Sequence, residues 1–154
     1  MQSVTLCLLV KDDKILLAMK KRGFGVGKWN GVGGKVQEGE TIEAAALREL
    51  NEEIGVIAGP GQVQGMGSID FHFKDRPEWD QQMHIFLIKN WQGEPKESEE
   101  MAPKWYPKSE IPFDAMWPDD KHWLPVVLEG KKVEGKFYFV NEGANIDEFD
   151  IREV

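Results

Sequence analysis

Three glutamates, Glu49, Glu52 and Glu53, stand at positions i, i+3 and i+4 of a stretch that contains neither Pro nor Gly. At ~100° per residue, with Glu49 at zero, Glu52 falls near about −60° and Glu53 near about +40° on a helical wheel. The three carboxylates then share one arc, while Leu50, Ile54 and Leu47 fall roughly opposite and suit a buried face. The plainest use of such an arc is a solvated acidic face, but like charges at this spacing repel one another. Clustered hard oxygen ligands are what Mg²⁺ or Mn²⁺ needs, with water and a substrate phosphate completing an octahedral shell. A cation held there would neutralise polyphosphate charge, polarise phosphorus–oxygen bonds and lower the pKa of bound water. No Asp-x-Asp/Asn loop precedes the acids, which excludes an EF-hand. Arg48, four residues before Glu52, is placed to pair with it, and Ala45 and Ala46 would leave space beside the carboxylates one turn earlier.

Upstream lies a segment in which six of the twelve positions from Gly23 to Gly34 are Gly. Glycines let a backbone approach a ligand closely, which suits a phosphate cradle, and equally let a connection flex. Neither familiar phosphate motif is present. Gly34-Lys35 is followed by Val36 and not by Ser or Thr, and Gly23-x-Gly25 reaches Lys28 where a third glycine would be required. The adjoining Lys20-Lys21-Arg22 is a basic complement to the acids.

The elements that must position these residues are readable in outline. Val4–Val10 and Ile15–Met19 are expected as strands around the turn residues Asp12-Asp13, and Lys20–Lys35 as loop. A helix is expected over Thr41–Ile54, with Thr41 as N-cap and Gly55 as its stop. Strands are expected around Val63–Lys74, where Ile69 to Phe73 alternate, and around Met83–Asn90. Gly93–Pro118 reads as connections around a short strand at Lys104–Tyr106. A helix over Asp119–Glu129, despite Pro125, and strands over Lys132–Val140 and Ile146–Val154 close the chain. Mixed strands and helices without a linker or repeat favour one α/β or α+β domain.

At 154 residues, 41% hydrophobic and 30% charged, the chain is long enough to fold around its own core and is not disordered in composition. Its net charge of −8 argues against extended nucleic acid as partner. From Glu38 to Glu53, six Glu face one Arg, so this segment alone carries a net −5. No run approaches the ~20 apolar residues of a membrane span. Met1-Gln2-Ser3-Val4 has no basic n-region, so a cytoplasmic setting is expected. The single Cys7 lies in an apolar run and reads as a buried structural thiol. His72, His84 and His122 show no metal-site or dyad spacing.

The run Gly34-Lys35-Val36-Gln37-Glu38-Gly39-Glu40, followed by Arg48-Glu49-Leu50-Asn51-Glu52-Glu53-Ile54-Gly55-Val56, resembles the Nudix box without a gap over residues 34–56. That resemblance implies an α/β/α sandwich with a mixed central β-sheet, one domain over 1–154. It implies a loop–helix–loop holding divalent metal, Mg²⁺ with Mn²⁺ as substitute, against a pyrophosphate. Carried over by position, Glu49, Glu52 and Glu53 become metal ligands, one of them a candidate base. The Gly33 carbonyl and Glu100 join the metal set, Glu100 being equally readable as a solvated loop acid. Glu40 and Arg48 would orient the acids.

Outside the box, Lys20-Lys21-Arg22-Gly23-Phe24-Gly25, Lys28-Trp29-Asn30-Gly31, Met116-Trp117-Pro118-Asp119-Asp120 and the end Arg152-Glu153-Val154 resemble the animal branch that hydrolyses oxidised purine nucleoside triphosphates. The substrate contacts this implies are Thr5, Lys20, Phe24, Asn30, Trp117, Asp119 and Asp120. Trp117 offers a stacking plane, Asn30 can donate and accept, and two adjacent buried acids can differ in protonation. Each residue also has a plainer use: Trp117 in the core, Asn30 in a turn, Asp119-Asp120 capping the following helix. The stretches 58–66 and 76–82 depart from that branch, and the second borders a pocket there.

The expected reaction is Mg²⁺-dependent conversion of 8-oxo-dGTP, 2-hydroxy-dATP and related triphosphates to monophosphate and pyrophosphate by a monomer. The alternatives are the same chemistry on a dinucleoside polyphosphate, capped RNA or nucleotide sugar, or a non-catalytic nucleotide-binding module.

Overall fold

The computed structural model describes residues 1–154. Its frame is one mixed sheet. The strands are β1 (Gln2–Lys11), β2 (Lys14–Lys20), β3 (Trp29–Asn30), β4 (Val63–Phe73), β5 (Gln81–Ile88), β6 (Met101–Pro107), β7 (Val133–Val140) and β8 (Asn145–Glu153). They lie in the order β3-β2-β1-β5-β4-β7-β8, with β6 paired to the far side of β2. The β1/β5 and β4/β7 pairs are parallel and the others antiparallel.

One helix covers each face. Helix α1 (Ile42–Ile54) buries Ala46, Leu50 and Ile54 against Cys7, Leu9, Leu16, Phe86 and Ile88. Helix α2 (Asp120–Leu128) buries Trp123, Leu124 and Val127 on the other face, among Leu6, Leu8, Ile69, Met83, Phe137 and Phe139. The alternation of β1 and β5 divides their side chains between these two cores, as the period-2 pleat requires. The result is the expected α/β/α sandwich. No helix is long and apolar enough to cross a membrane. Cys7 is fully buried, donates to the Ala46 carbonyl at 3.8 Å, and has its pKa pushed up to about 12 by burial, which fits an inert thiol.

Two expectations need correction. The stretch Lys20–Lys35 is not all loop: β3 pairs Ala18↔Asn30 and Met19↔Trp29, and further bridges join Cys7↔Val32 and Val4↔Lys35. The glycine-rich chain is thus wedged between β1 and β2 where they diverge beyond the Leu9↔Leu16 pair. Strand β6 runs seven residues instead of three. Pro103 and Pro107 read as breakers, but β6 is paired only to β2, and an edge strand tolerates residues that cannot donate outward.

Candidate active site

Helix α1 has a defined start and stop. The Thr41 hydroxyl accepts from Ala44 N at 3.1 Å, and Gly55, at φ 70°, ends the helix with its N–H on the Asn51 carbonyl at 3.0 Å. This registers Glu49 toward the wedged glycine segment. A Cβ at Gly33 would sit 1.8 Å from the Thr5 carbonyl oxygen, and one at Gly34 would sit 2.6 Å from the Glu49 carboxyl. Glycine is therefore required here by close packing between β1 and α1. Ala45 and Ala46 are likewise fully buried and leave no open space, because their small side chains let α1 lie close on the sheet.

Arg48 organises the acids. Its guanidinium forks onto Glu40, Nε to Oε2 at 2.6 Å and Nη2 to Oε1 at 2.9 Å. It also donates to Glu49 at 2.9 Å, to Glu52 at 3.1 Å and to the Lys35 carbonyl at 3.1 Å. Glu40, held by this fork and by the Gln37 N–H, has its pKa lowered to about 2. Glu49 is 12% exposed in its side chain and Glu52 59%, so the arc is sunk at one end and open at the other. Glu53 is pushed up to about 7, chiefly by burial and then by the neighbouring Glu49, and its Oε2 is buried without a hydrogen-bond partner.

Glu100 lies in the field of Glu53 but is bonded to Arg22, whose Nε reaches it at 2.7 Å and whose Nη2 also contacts it; this pairing lowers its pKa. No three acids converge closely enough to form a finished ion cage as they stand. Glu52 and Glu100 are instead each paired with an arginine. The donor set nevertheless fits a hard divalent cation: every candidate ligand is oxygen, and the unpartnered Glu53 Oε2 is the buried atom a cation would satisfy.

Beside Gly33 and Gly34 opens a cavity of ≈ 190 Å³, which Thr5, Lys20, Phe24, Asn30, Trp117, Asp119 and Asp120 all line. It is smaller than the ~300–1,000 Å³ of common ligand clefts, and at its wall Phe24 stacks on Trp117 at 5.2 Å. Phe24 is 43% exposed at the cavity mouth, packed also against Phe73 and Trp79. The Thr5 hydroxyl is occupied by Gly34, accepting its N–H at 3.4 Å, and Asn30 Oδ1 accepts Gly31 N at 2.9 Å.

Asp119 and Asp120 are each 3% exposed. They do not cap α2 through their side chains. Asp119 Oδ2 instead accepts the Trp123 indole N–H at 2.8 Å, and Asp120 Oδ2 is buried without a partner. Burial raises both pKa values, and Asp120 is raised further by the facing Asp119 charge. The pair therefore holds a proton where isolated aspartates would not.

Further lining residues carry no motif. Lys28 places Nζ 5.2 Å from the Trp117 ring centroid, and Lys35, Gln81, Phe71, Phe73 and Phe139 complete the wall. Alternation in β4 and β7 signals buried aromatics at Phe71, Phe73 and Phe139, but not that they border a cavity.

A NUDIX domain pattern matches residues 1–127. The oxidized purine nucleoside triphosphate hydrolase of Mus musculus is 47% identical over 150 residues, covering 97% of this chain and 94% of the mouse protein. Its namesake in Danio rerio is 50% identical over 136 residues, covering 88% and 85%. Among solved structures, a MutT protein from Bacillus halodurans superposes with a TM-score of 0.84 at 26% identity, covering 98% of this chain and 97% of that one. With the box filled from Gly34 to Val56 on the loop and helix described above, the chain belongs to the NUDIX family.

Proposed function

We propose that the protein hydrolyses oxidised purine nucleoside triphosphates, such as 8-oxo-dGTP and 2-hydroxy-dATP, to the monophosphate and pyrophosphate. The observation that carries this is the buried Asp119/Asp120 pair in an aromatic cavity that ends at Gly33-Gly34, against the Glu49 carboxyl. A proton shared by two carboxyls presents a donor beside acceptors and can be placed to suit more than one modified base edge. The Trp117 ring supplies the stacking plane. Lys20 and Lys35, which line the same cavity as Gly33, would supply cationic charge for the phosphates. The two relatives bearing the name of this activity, covered over most of their length, support the same reading.

NUDIX hydrolases use divalent metal ions, and we assign the role here to Mg²⁺. Glu49, Glu52, Glu53 and Glu100, with the Gly33 carbonyl, would hold it, and when bound it neutralises phosphate charge and acidifies bound water. Arg48 and Glu40 fix the Glu49 rotamer and keep one wall of the site charged. One of the metal-holding carboxylates would also serve as base toward an attacking water. We take the unit of function to be one domain over 1–154, since all eight strands share one sheet, acting as a monomer.

Product identification tests this. Incubating 8-oxo-dGTP in ¹⁸O-labelled water with Mg²⁺ is expected to yield 8-oxo-dGMP and pyrophosphate, with no turnover in EDTA. Release of orthophosphate and a diphosphate would refute the reaction. Equal turnover without metal would refute the role of the acids.

A further inference from the structure

We infer that Gln81 is a specificity-determining residue that reads the oxidised five-membered-ring edge of a purine. This rests on the proposed function, since it assumes that the cavity receives a purine base. The pairing of β5 with β1 runs without a break from Gln2↔Gln81 to Leu9↔Ile88. Strand alternation therefore puts Gln81 on the face of Met83 and Ile85, toward the cavity, and Gln82 on the other. The two neighbouring carboxamides behave accordingly. Gln82 Nε2 donates to Asp70 Oδ1 at 3.1 Å, whereas Gln81 lines the cavity and makes no side-chain hydrogen bond within the protein.

The other neutral polar groups in the cavity are at least partly committed. Asn30 Oδ1 accepts Gly31 N, and the Thr5 hydroxyl is held by Gly34. Gln81 is thus the carboxamide with both its acceptor and its donors free, in a cavity that aromatic rings also line. An amide presents C=O and NH₂ side by side. An 8-oxopurine presents an N7–H donor beside a C8=O acceptor, the matching pattern for two hydrogen bonds. An unmodified purine offers an N7 acceptor beside C8–H, and can match only one. The five-membered ring of 2-hydroxyadenine is unmodified and gains nothing from Gln81. The shared proton of Asp119/Asp120 is left to serve the six-membered-ring edge, so the two walls of the cavity read different lesions.

The experiment compares wild type with Gln81→Met and Gln81→Leu, neither of which can donate or accept at the purine edge. It measures kcat/KM for 8-oxo-dGTP, dGTP, 2-hydroxy-dATP and dATP in Mg²⁺, and Kd for 8-oxo-dGMP and dGMP by calorimetry without metal. Ratios are taken within one preparation, so the fraction of folded protein cancels. The expected result is an 8-oxo-dGTP to dGTP ratio lowered about threefold to tenfold in both variants, mainly through KM. The Kd ratio should fall in parallel, and the 2-hydroxy-dATP to dATP ratio should stay at the wild-type value. A wild-type enzyme that prefers 8-oxo-dGTP and variants that keep that preference undiminished would overturn the role of Gln81 alone. So would a fall of both ratios together. A wild-type enzyme with no preference for either oxidised base would overturn the proposed substrate, and this assignment with it.

Discussion

Replacing Asp120 by Asn should make the protein more stable, and increasingly so as pH rises. Asp120 is buried, its Oδ2 has no partner, and it faces the Asp119 carboxyl. Both features raise its pKa in the folded protein well above the ordinary aspartate value. An acid of this kind binds its proton more tightly when folded, so its contribution to stability is greatest below pH 4 and declines as pH rises toward the folded-state pKa. Across that window one extra proton on the folded chain costs about 1.4 kcal/mol of stability per pH unit. Asn has the same shape and does not titrate. Its amide supplies a donor beside the Asp119 carboxyl, whose Oδ2 keeps the Trp123 indole N–H. Urea unfolding at successive pH values from 4 upward should show the variant gaining on wild type as pH rises, by at most about 1.4 kcal/mol per unit for one proton. Parallel stability curves would refute the claim that Asp120 holds a proton in the fold.

Four other substitutions probe separate parts of the account. Glu53→Gln removes a ligand oxygen and a titrating acid without changing shape, and should lower Mg²⁺-dependent turnover at least about 100-fold while leaving the melting midpoint at or above wild type; retained turnover would remove Glu53 from the site. Arg48→Lys keeps the charge but loses the fork onto Glu40, and should weaken metal-dependent activity about 10- to 100-fold, read as a shifted Mg²⁺ titration. Gly33→Ala drives a methyl into the Thr5 carbonyl and should cost about 3 kcal/mol or more in urea unfolding. Phe24→Ala removes the ring stacked on Trp117 and should lower kcat/KM about tenfold through KM; an unchanged KM would exclude Phe24 from the base site.

Much of the fold is legible in the residues, because its signals are local. Thr41 and Gly55 bracket α1, the Glu and Leu spacings set its two faces, and alternation marks β4. What escapes is decided by partners far along the chain. Strand β3 and the bridges at Val32 and Lys35 exist because β1 and β2 diverge, and glycine content alone cannot distinguish a wedge from a hinge. Strand β6 tolerates its prolines only as an edge, and nothing local marks it as one. The candidate site divides the same way. The carboxylate arc follows from helical geometry, whereas the pairing of Glu100 with Arg22 depends on the loop beside β2. Asp119 and Asp120 read equally well as helix caps until the tertiary structure buries them and gives Asp119 the Trp123 indole. Gln81 has no motif at all, and its position emerges from the β1/β5 register.

The most direct test of the central claim is the ratio of kcat/KM for 8-oxo-dGTP over dGTP, measured by pyrophosphate release in Mg²⁺. Two purine-reading walls beside one carboxylate site predict a ratio of about ten or more. A ratio of one, with both nucleotides turned over, would contradict the reading of the cavity as an oxidised-purine site while leaving the carboxylate chemistry intact.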